Sequence, residues 1–279
     1  MPDQPFAEIE QRLSVAADGK FRVFGIRRTG QHAIINWILR NSGRKASVFL
    51  NSCTMGRSPV RTCGQSELNG SQSGKAHGLH KSLSAYLDHY PRPFLLISYE
   101  AGYKSGEVSP NFETAGFDHE VLITRSFVNW LPSFIRLMWQ IHQPANGEVL
   151  DISNGIIFEI SRYKAHLQAA IASEATVICF DKWATLPEYR MSMLKNMGLN
   201  PVDNTLGKVQ FYGRGSSFSG QSLPADELTL TRRWETMSDD SYAKLFLQLA
   251  QADDEFMQAL ALLYPDNPQI IAGLLAENT

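Results

Sequence analysis

The residues with the clearest chemical promise are Gly25-Ile-Arg-Arg-Thr-Gly30. Two glycines five positions apart, enclosing Arg27, Arg28 and Thr29, have the spacing of a phosphate-binding loop. The apolar stretch 21–26 reads as a short buried strand, and Ile34, Ile35, Ile38 and Leu39 mark an apolar helix after the turn. A turn in that setting aims backbone N–H groups and a helix N-terminus at an oxyanion. A nucleotide triphosphatase would continue with Lys and then Ser or Thr, whereas this chain continues with Gln31-His32-Ala33. No hydroxyl is placed for Mg²⁺, and Arg28 supplies the positive charge. That combination suits a phosphate-bearing ligand used without a metal. The same glycines would also serve a plain tight turn between strand and helix.

A second anion element follows the strand expected over 120–124. Arg125 ends it, which puts a guanidinium at the carboxyl edge of the sheet, where open α/β folds bind ligands. Ser133 lies eight positions later. If Asn129 is the N-cap, Pro132 falls in the first helical turn, where a missing N–H costs little. The Ser133 hydroxyl and the free N–H groups of that turn could then hold a second phosphate alongside Arg125. An ordinary strand-ending Arg and a solvent-facing Ser are the plainer alternative. Arg136, one turn on, could assist or pair with an acid.

For acid–base work, Glu100 ends the strand expected over 93–99 and should project at the same edge. Its alternative is a solvated carboxylate, or one paired with Lys104. His77 and His80 lie in or just after a polar stretch and are weaker candidates on position. His32 stands at a helix start, either as a neutral hydrogen-bond donor or simply as the residue that begins the helix.

These residues need strands alternating with helices. A further strand is expected over 176–180, with a helix over 155–173 and another opened by Pro187 and closed by Gly198. Residues 200–224 read as looped, and 226–279 as a helical C-terminal part. The Ser- and Gly-rich stretch 51–78 reads as a mobile or functional loop, suited to acceptor contacts. Trp37, Trp130 and Trp139 fall on apolar helical faces, as core; Trp183 could stack on a base or be core. The alternation predicts an α/β fold, a mainly parallel sheet with helices on both faces, in a single domain over 1–279.

The 279 residues carry 26 basic and 28 acidic side chains, a formal net charge of -2, which gives no reason to expect nucleic-acid or anionic-membrane binding. No run approaches the roughly 20 apolar residues of a spanning helix, so no integral membrane segment is expected. No basic stretch followed by an apolar run marks a signal peptide. Cys53, Cys63 and Cys179 lack metal-ligand spacing and suit a reducing compartment. The cytoplasm is the expected location.

Together the two anion elements resemble the sulfotransferase family that uses 3'-phosphoadenosine-5'-phosphosulfate (PAPS). Arg28-Thr29-Gly30 resembles the first half of that family's 5'-phosphosulfate loop. Arg125 with Ser133 resembles its 3'-phosphate element, spacing included. Arg214-Gly215-Ser216-Ser217, within 212–220, resembles the basic loop that closes over the 3'-phosphate, and 179–199 a strand-to-helix segment. The resemblance runs in order over about residues 21–220, but Gln31 and His32 replace the family's paired threonines. It implies the P-loop-like, three-layer sulfotransferase fold. It also implies metal-free sulfuryl transfer from PAPS, leaving PAP, with Glu100 or a histidine as base. Arg27 to Ala33, Arg125, Ser133 and residues 214–217 would bind the donor. The acceptor would be a small molecule or, as for bacterial members, a glycan. A P-loop small-molecule kinase and a non-catalytic PAP binder are the rivals.

Overall fold

Largely apolar runs form the buried parallel strands, and two polar strands extend them to a seven-stranded sheet. The computed structural model describes residues 4–43, 46–74, 76–103, 116–141, 153–207, 231–237 and 241–276. The strands are β1 (Gly19–Phe24), β2 (Ser47–Asn51), β3 (Gln65–Leu68), β4 (Ser71–Gly74), β5 (Phe94–Tyr99), β6 (His119–Thr124) and β7 (Thr176–Cys179). Their order is β4-β3-β2-β5-β1-β6-β7. β2, β5, β1, β6 and β7 are mutually parallel, and β3 and β4 add an antiparallel edge. The α/β class and the mainly parallel sheet therefore match expectation.

The helices are α1 (Gln4–Ala16), α2 (Gln31–Asn41), α3 (Pro59–Thr62), α4 (Ala76–His89), α5 (Phe127–Ile141), α6 (Ser153–Ala172), α7 (Phe180–Thr185), α8 (Pro187–Asn196), α9 (Ser241–Gln251), α10 (Asp254–Leu263) and α11 (Asn267–Ala276). Alternate strand residues enter different cores, as the two-residue strand period requires. Phe21, Val23, Leu96 and Ile123 pack with Ile34 and Ile38 of α2 and Leu194 of α8. Phe24, Leu95, Ile97 and Leu122 pack with Ile9 and Leu13 of α1 and Leu79, Leu83 and Leu87 of α4. A third core joins α5, α6, α9, α10 and α11 through Trp130, Tyr163, Phe246 and Phe256. None of the described helices is long and apolar enough to cross a membrane.

Two expectations need correction. Stretch 51–78 is not one long loop, because it holds α3 and the β3–β4 hairpin. β3 and the edge strand β4 are polar in sequence and joined by backbone ladders, so hydrophobic periodicity does not reveal them. Asn69 and Gly70, at φ 52° and 75°, form the hairpin turn, and Asn–Gly is the pair such a left-handed turn favours. Asn69 Oδ1 accepts the Ser47 N–H at 2.8 Å and the Tyr86 hydroxyl at 2.7 Å, tying the turn to β2 and α4.

The second correction concerns α5, which begins at Phe127, not after Asn129. Asn129 and Trp130 both donate backbone N–H bonds to the Ser126 carbonyl, at 3.1 and 2.8 Å. Pro132 therefore sits inside the helix, and Ser133 lies in its second turn. Gly70→Ala forces a Cβ onto a left-handed backbone and should lower unfolding free energy by about 1–2 kcal/mol in urea denaturation. An unchanged midpoint would contradict this turn geometry.

Candidate anion site and acid–base cluster

Parallel pairing brings the carboxyl ends of five strands to one edge. Asn51 ends β2, Glu100 follows β5, Gly25 follows β1, Arg125 follows β6, and Phe180-Asp181 follows β7. The 25–30 turn is held on both sides. Gly25 N–H donates to the Tyr99 carbonyl and Gly102 N–H to the Gly25 carbonyl, both at 3.0 Å. Trp130 Nε1 donates to the Arg27 carbonyl at 2.8 Å, and Arg125 Nη1 to the Arg28 carbonyl at 3.1 Å. The Thr29 hydroxyl is buried and donates to the Ile26 carbonyl at 2.8 Å. Arg28 adopts φ 71°, a strained conformation for a non-glycine residue. Gly30 is at φ 83°, and a Cβ there would lie 2.2 Å from the Phe180 ring. It N-caps α2 without a side-chain hydrogen bond, which leaves the helix start approachable by an anion.

Three guanidiniums converge beside this turn: Arg28, Arg125 and Arg233. Arg125 is buried, with its guanidinium 4.9 Å from the Phe180 ring centroid. Arg233 belongs to a 3₁₀ turn, Arg233–Thr236, that packs on α5. Its N–H donates to Asn129 Oδ1 at 2.9 Å and its Nη1 to Ser133 Oγ at 2.5 Å. Burial weakens the hold of all three arginines on their protons. At Arg233, repulsion from Arg125 and then Arg28 adds to burial. Asp181 opposes this. It raises the Arg125 and Arg233 values, while its carboxylate accepts Ser126 N–H at 2.7 Å and Asn129 Nδ2 at 2.8 Å. Asp181 faces Arg125 and Arg233 while Glu100 faces Arg28, so three cations meet two carboxylates, an excess that an anion would complement.

The start of α5 is therefore not an open anion socket, contrary to expectation. Asp181 takes the Ser126 N–H, and Asn267 of α11 takes the Val128 N–H at 3.4 Å. Ser133 is fully buried; its hydroxyl donates to the Asn129 carbonyl at 3.1 Å and receives Arg233. Its observed part is to hold an arginine.

The acid–base cluster lies across the turn. Gln31 Nε2 donates to Glu100 Oε1 at 3.1 Å, and His32 Nε2 stands 3.6 Å from the same oxygen. His32 Nε2 is also 3.1 Å from Asn51 Oδ1, which accepts the Ser98 hydroxyl at 2.9 Å. Since that amide oxygen is an acceptor, neutral His32 carries its proton on Nε2. Burial lowers the His32 pKa, with Glu100 and then Asn51 acting to raise it and Arg28 to lower it. The His32 and Glu100 side chains are 19% and 23% exposed, so both are open to solvent.

Other candidates stand elsewhere. His80 packs edge-on against Phe6 of α1, with ring centroids 5.4 Å apart, and is not brought to Glu100. His77 lies within α4. Arg27 and Arg136 are exposed, and Ala33 is in the first turn of α2. Trp183 is core, edge-on to Trp37. Residues 214–217 and Lys104 lie outside the described residues. Among the described residues, no cluster of His, Cys, Asp or Glu could hold a metal ion. Sequence reading missed Arg233, Asp181 and Asn51 as site residues. Arg232-Arg233 sits in a polar stretch without periodicity, so nothing local signals its burial. Comparison with protein-family models, curated proteins and solved structures finds no match.

Ring-nitrogen NMR should find that His32 titrates below its ordinary value of about 6.5. Glu100→Gln removes the charge that favours imidazolium and should lower it further; a rise would refute the arrangement. The sign for stability follows. Because the folded-state value is depressed, the contribution of His32 is present above about pH 6.5 and is lost as pH falls through the folded value.

Proposed function

We propose that the chain is a metal-free sulfotransferase with the P-loop-like sulfotransferase fold, moving a sulfuryl group from PAPS to a hydroxyl or amine acceptor. The observation that carries this reading is the contact of the two anion elements: Arg125 Nη1 donates to the backbone carbonyl of Arg28 at 3.1 Å. Anionic groups at both ends of one nucleotide could thus be gripped at one sheet edge. Arg28, Arg125 and Arg233 outnumber the carboxylates of Asp181 and Glu100, an excess of positive charge that fits an anionic ligand.

PAPS supplies an activated sulfuryl group on its 5'-phosphate. The acceptor oxygen or nitrogen forms a bond to sulfur, the bridging S–O bond breaks, and the electron pair leaves on the phosphate of PAP. Arg28 and the N–H groups at the start of α2 meet that growing charge. Arg125 and Arg233 hold the 3'-phosphate, with Ser133 fixing Arg233. Glu100 takes the acceptor proton, and Gln31 orients its carboxylate at 3.1 Å. His32, kept neutral by burial, stands beside Glu100 with its proton on Nε2 and adds no charge of its own. The departure from paired threonines at Gln31-His32 is thereby given a use: both residues face the base. The acceptor class stays open to small molecules and glycans.

Thermal shift with PAP against ATP–Mg²⁺, followed by turnover of labelled PAPS over an acceptor panel, tests the reading. PAP should stabilise the protein, and Glu100→Gln should cut turnover by roughly 10²- to 10⁴-fold while PAP affinity holds. Stabilisation by ATP–Mg²⁺ alone would favour the kinase reading instead. Tight PAP binding without turnover on any acceptor would make it a binder.

A further inference from the structure

Glu100 does not hold its place by its own strand alone, because β5 ends at Tyr99. The segment 100–103 hooks back over the 25–30 turn, and α6 grips it at both ends. Arg162 Nη2 donates to the Glu100 carbonyl at 3.4 Å. One helical turn later, His166 Nδ1 accepts the Tyr103 N–H at 3.2 Å. Between these grips, Gly102 N–H donates to the Gly25 carbonyl at 3.0 Å, and Ala101 bridges Ile26.

His166 is fixed as the neutral Nε2–H tautomer by two backbone groups. An N–H can only donate, so Nδ1 must accept from Tyr103; a carbonyl can only accept, so Nε2 must donate to Ile123, at 3.0 Å. The ring is 2% exposed and so has no route to substrate. Ile123 lies two residues before Arg125, whose carbonyl accepts the hydroxyl of Tyr163, also on α6.

We propose that His166 is a positioning residue: by bonding Tyr103 and Ile123 at once, it sets Glu100 against the 25–30 turn and in register with the Arg125 strand. Burial pushes its pKa down to about 4, so the neutral bridging form persists across the working pH range. The claim rests on Glu100 being the base, and it adds a residue that touches neither substrate nor reacting atoms.

Two near-isosteric variants separate the bonds. His166→Asn places an acceptor near Nδ1 and loses the donor to Ile123; His166→Gln places a donor near Nε2 and loses the acceptor for Tyr103 N–H. Both should lower stability. Only His166→Gln should release the hook, lowering kcat by roughly 10- to 100-fold with PAP affinity unchanged. It should also lower the His32 pKa, because Glu100 moves away, whereas His166→Asn should leave that value in place. Should His166→Gln fail to fold, Arg162→Gln, which loosens the other end of the hook, should move kcat and His32 in the same direction. Equal kcat losses in the two His166 variants, or an unmoved His32 in both His166→Gln and Arg162→Gln, would overturn the inference. The His32 readout needs no substrate. It therefore decides the positioning role even if PAPS turnover is never found, an outcome that would sink the sulfotransferase reading instead.

Discussion

A half-buried carboxylate, Asp181, facing the buried guanidiniums of Arg125 and Arg233 governs how this molecule is put together. Asp181 accepts from Ser126 N–H and Asn129 Nδ2 while facing the charges of Arg125 and Arg233. A buried charge is costly unless it is paired and hydrogen-bonded, so each of these groups can be buried only where the others stand. The start of α5, the strand-ending arginine and the 3₁₀ turn from the C-terminal part are therefore fixed together. Asn129 is the hub, donating to Asp181 and accepting from Arg233 N–H.

This arrangement leaves more positive than negative charge in a water-poor place, a poor bargain for folding alone. The strain at Arg28, whose φ is 71°, belongs to the same turn. Such departures from local preference concentrate where a protein binds or reacts. On the other side of the turn the chemistry changes sign. Glu100, Gln31, His32, Asn51 and Ser98 form a hydrogen-bonded polar cluster in which the histidine is kept neutral and the carboxylate is reachable. A cluster of arginines and a cluster of acid–base groups thus both border one loop.

The helix α6 links the flanks. Its Tyr163 hydroxyl bonds the Arg125 carbonyl, while Arg162 and His166 hold the segment carrying Glu100. Residues four apart on a helix share a face, so a rigid rod can fix points on two strands at once.

The sequence by itself marked four of the five parallel strands, all but β2, together with the strand–turn–helix around Gly25 and Gly30 and the placing of Glu100 and Arg125 at one sheet edge. Apolar runs specify buried strands, and parallel strands must end at a common edge. It also held an Asn69-Gly70 turn signal that polar flanking residues hid from a search for hydrophobic pattern. Only the tertiary structure decided where α5 starts, because the groups that cap it, Asp181 and Asn267, come from far along the chain. The same holds for Arg233, whose donors are received by Asn129 and Ser133, about a hundred residues earlier. Local pattern records backbone preference and face polarity. The company a charge keeps in the interior is set by contacts that no short window of sequence contains.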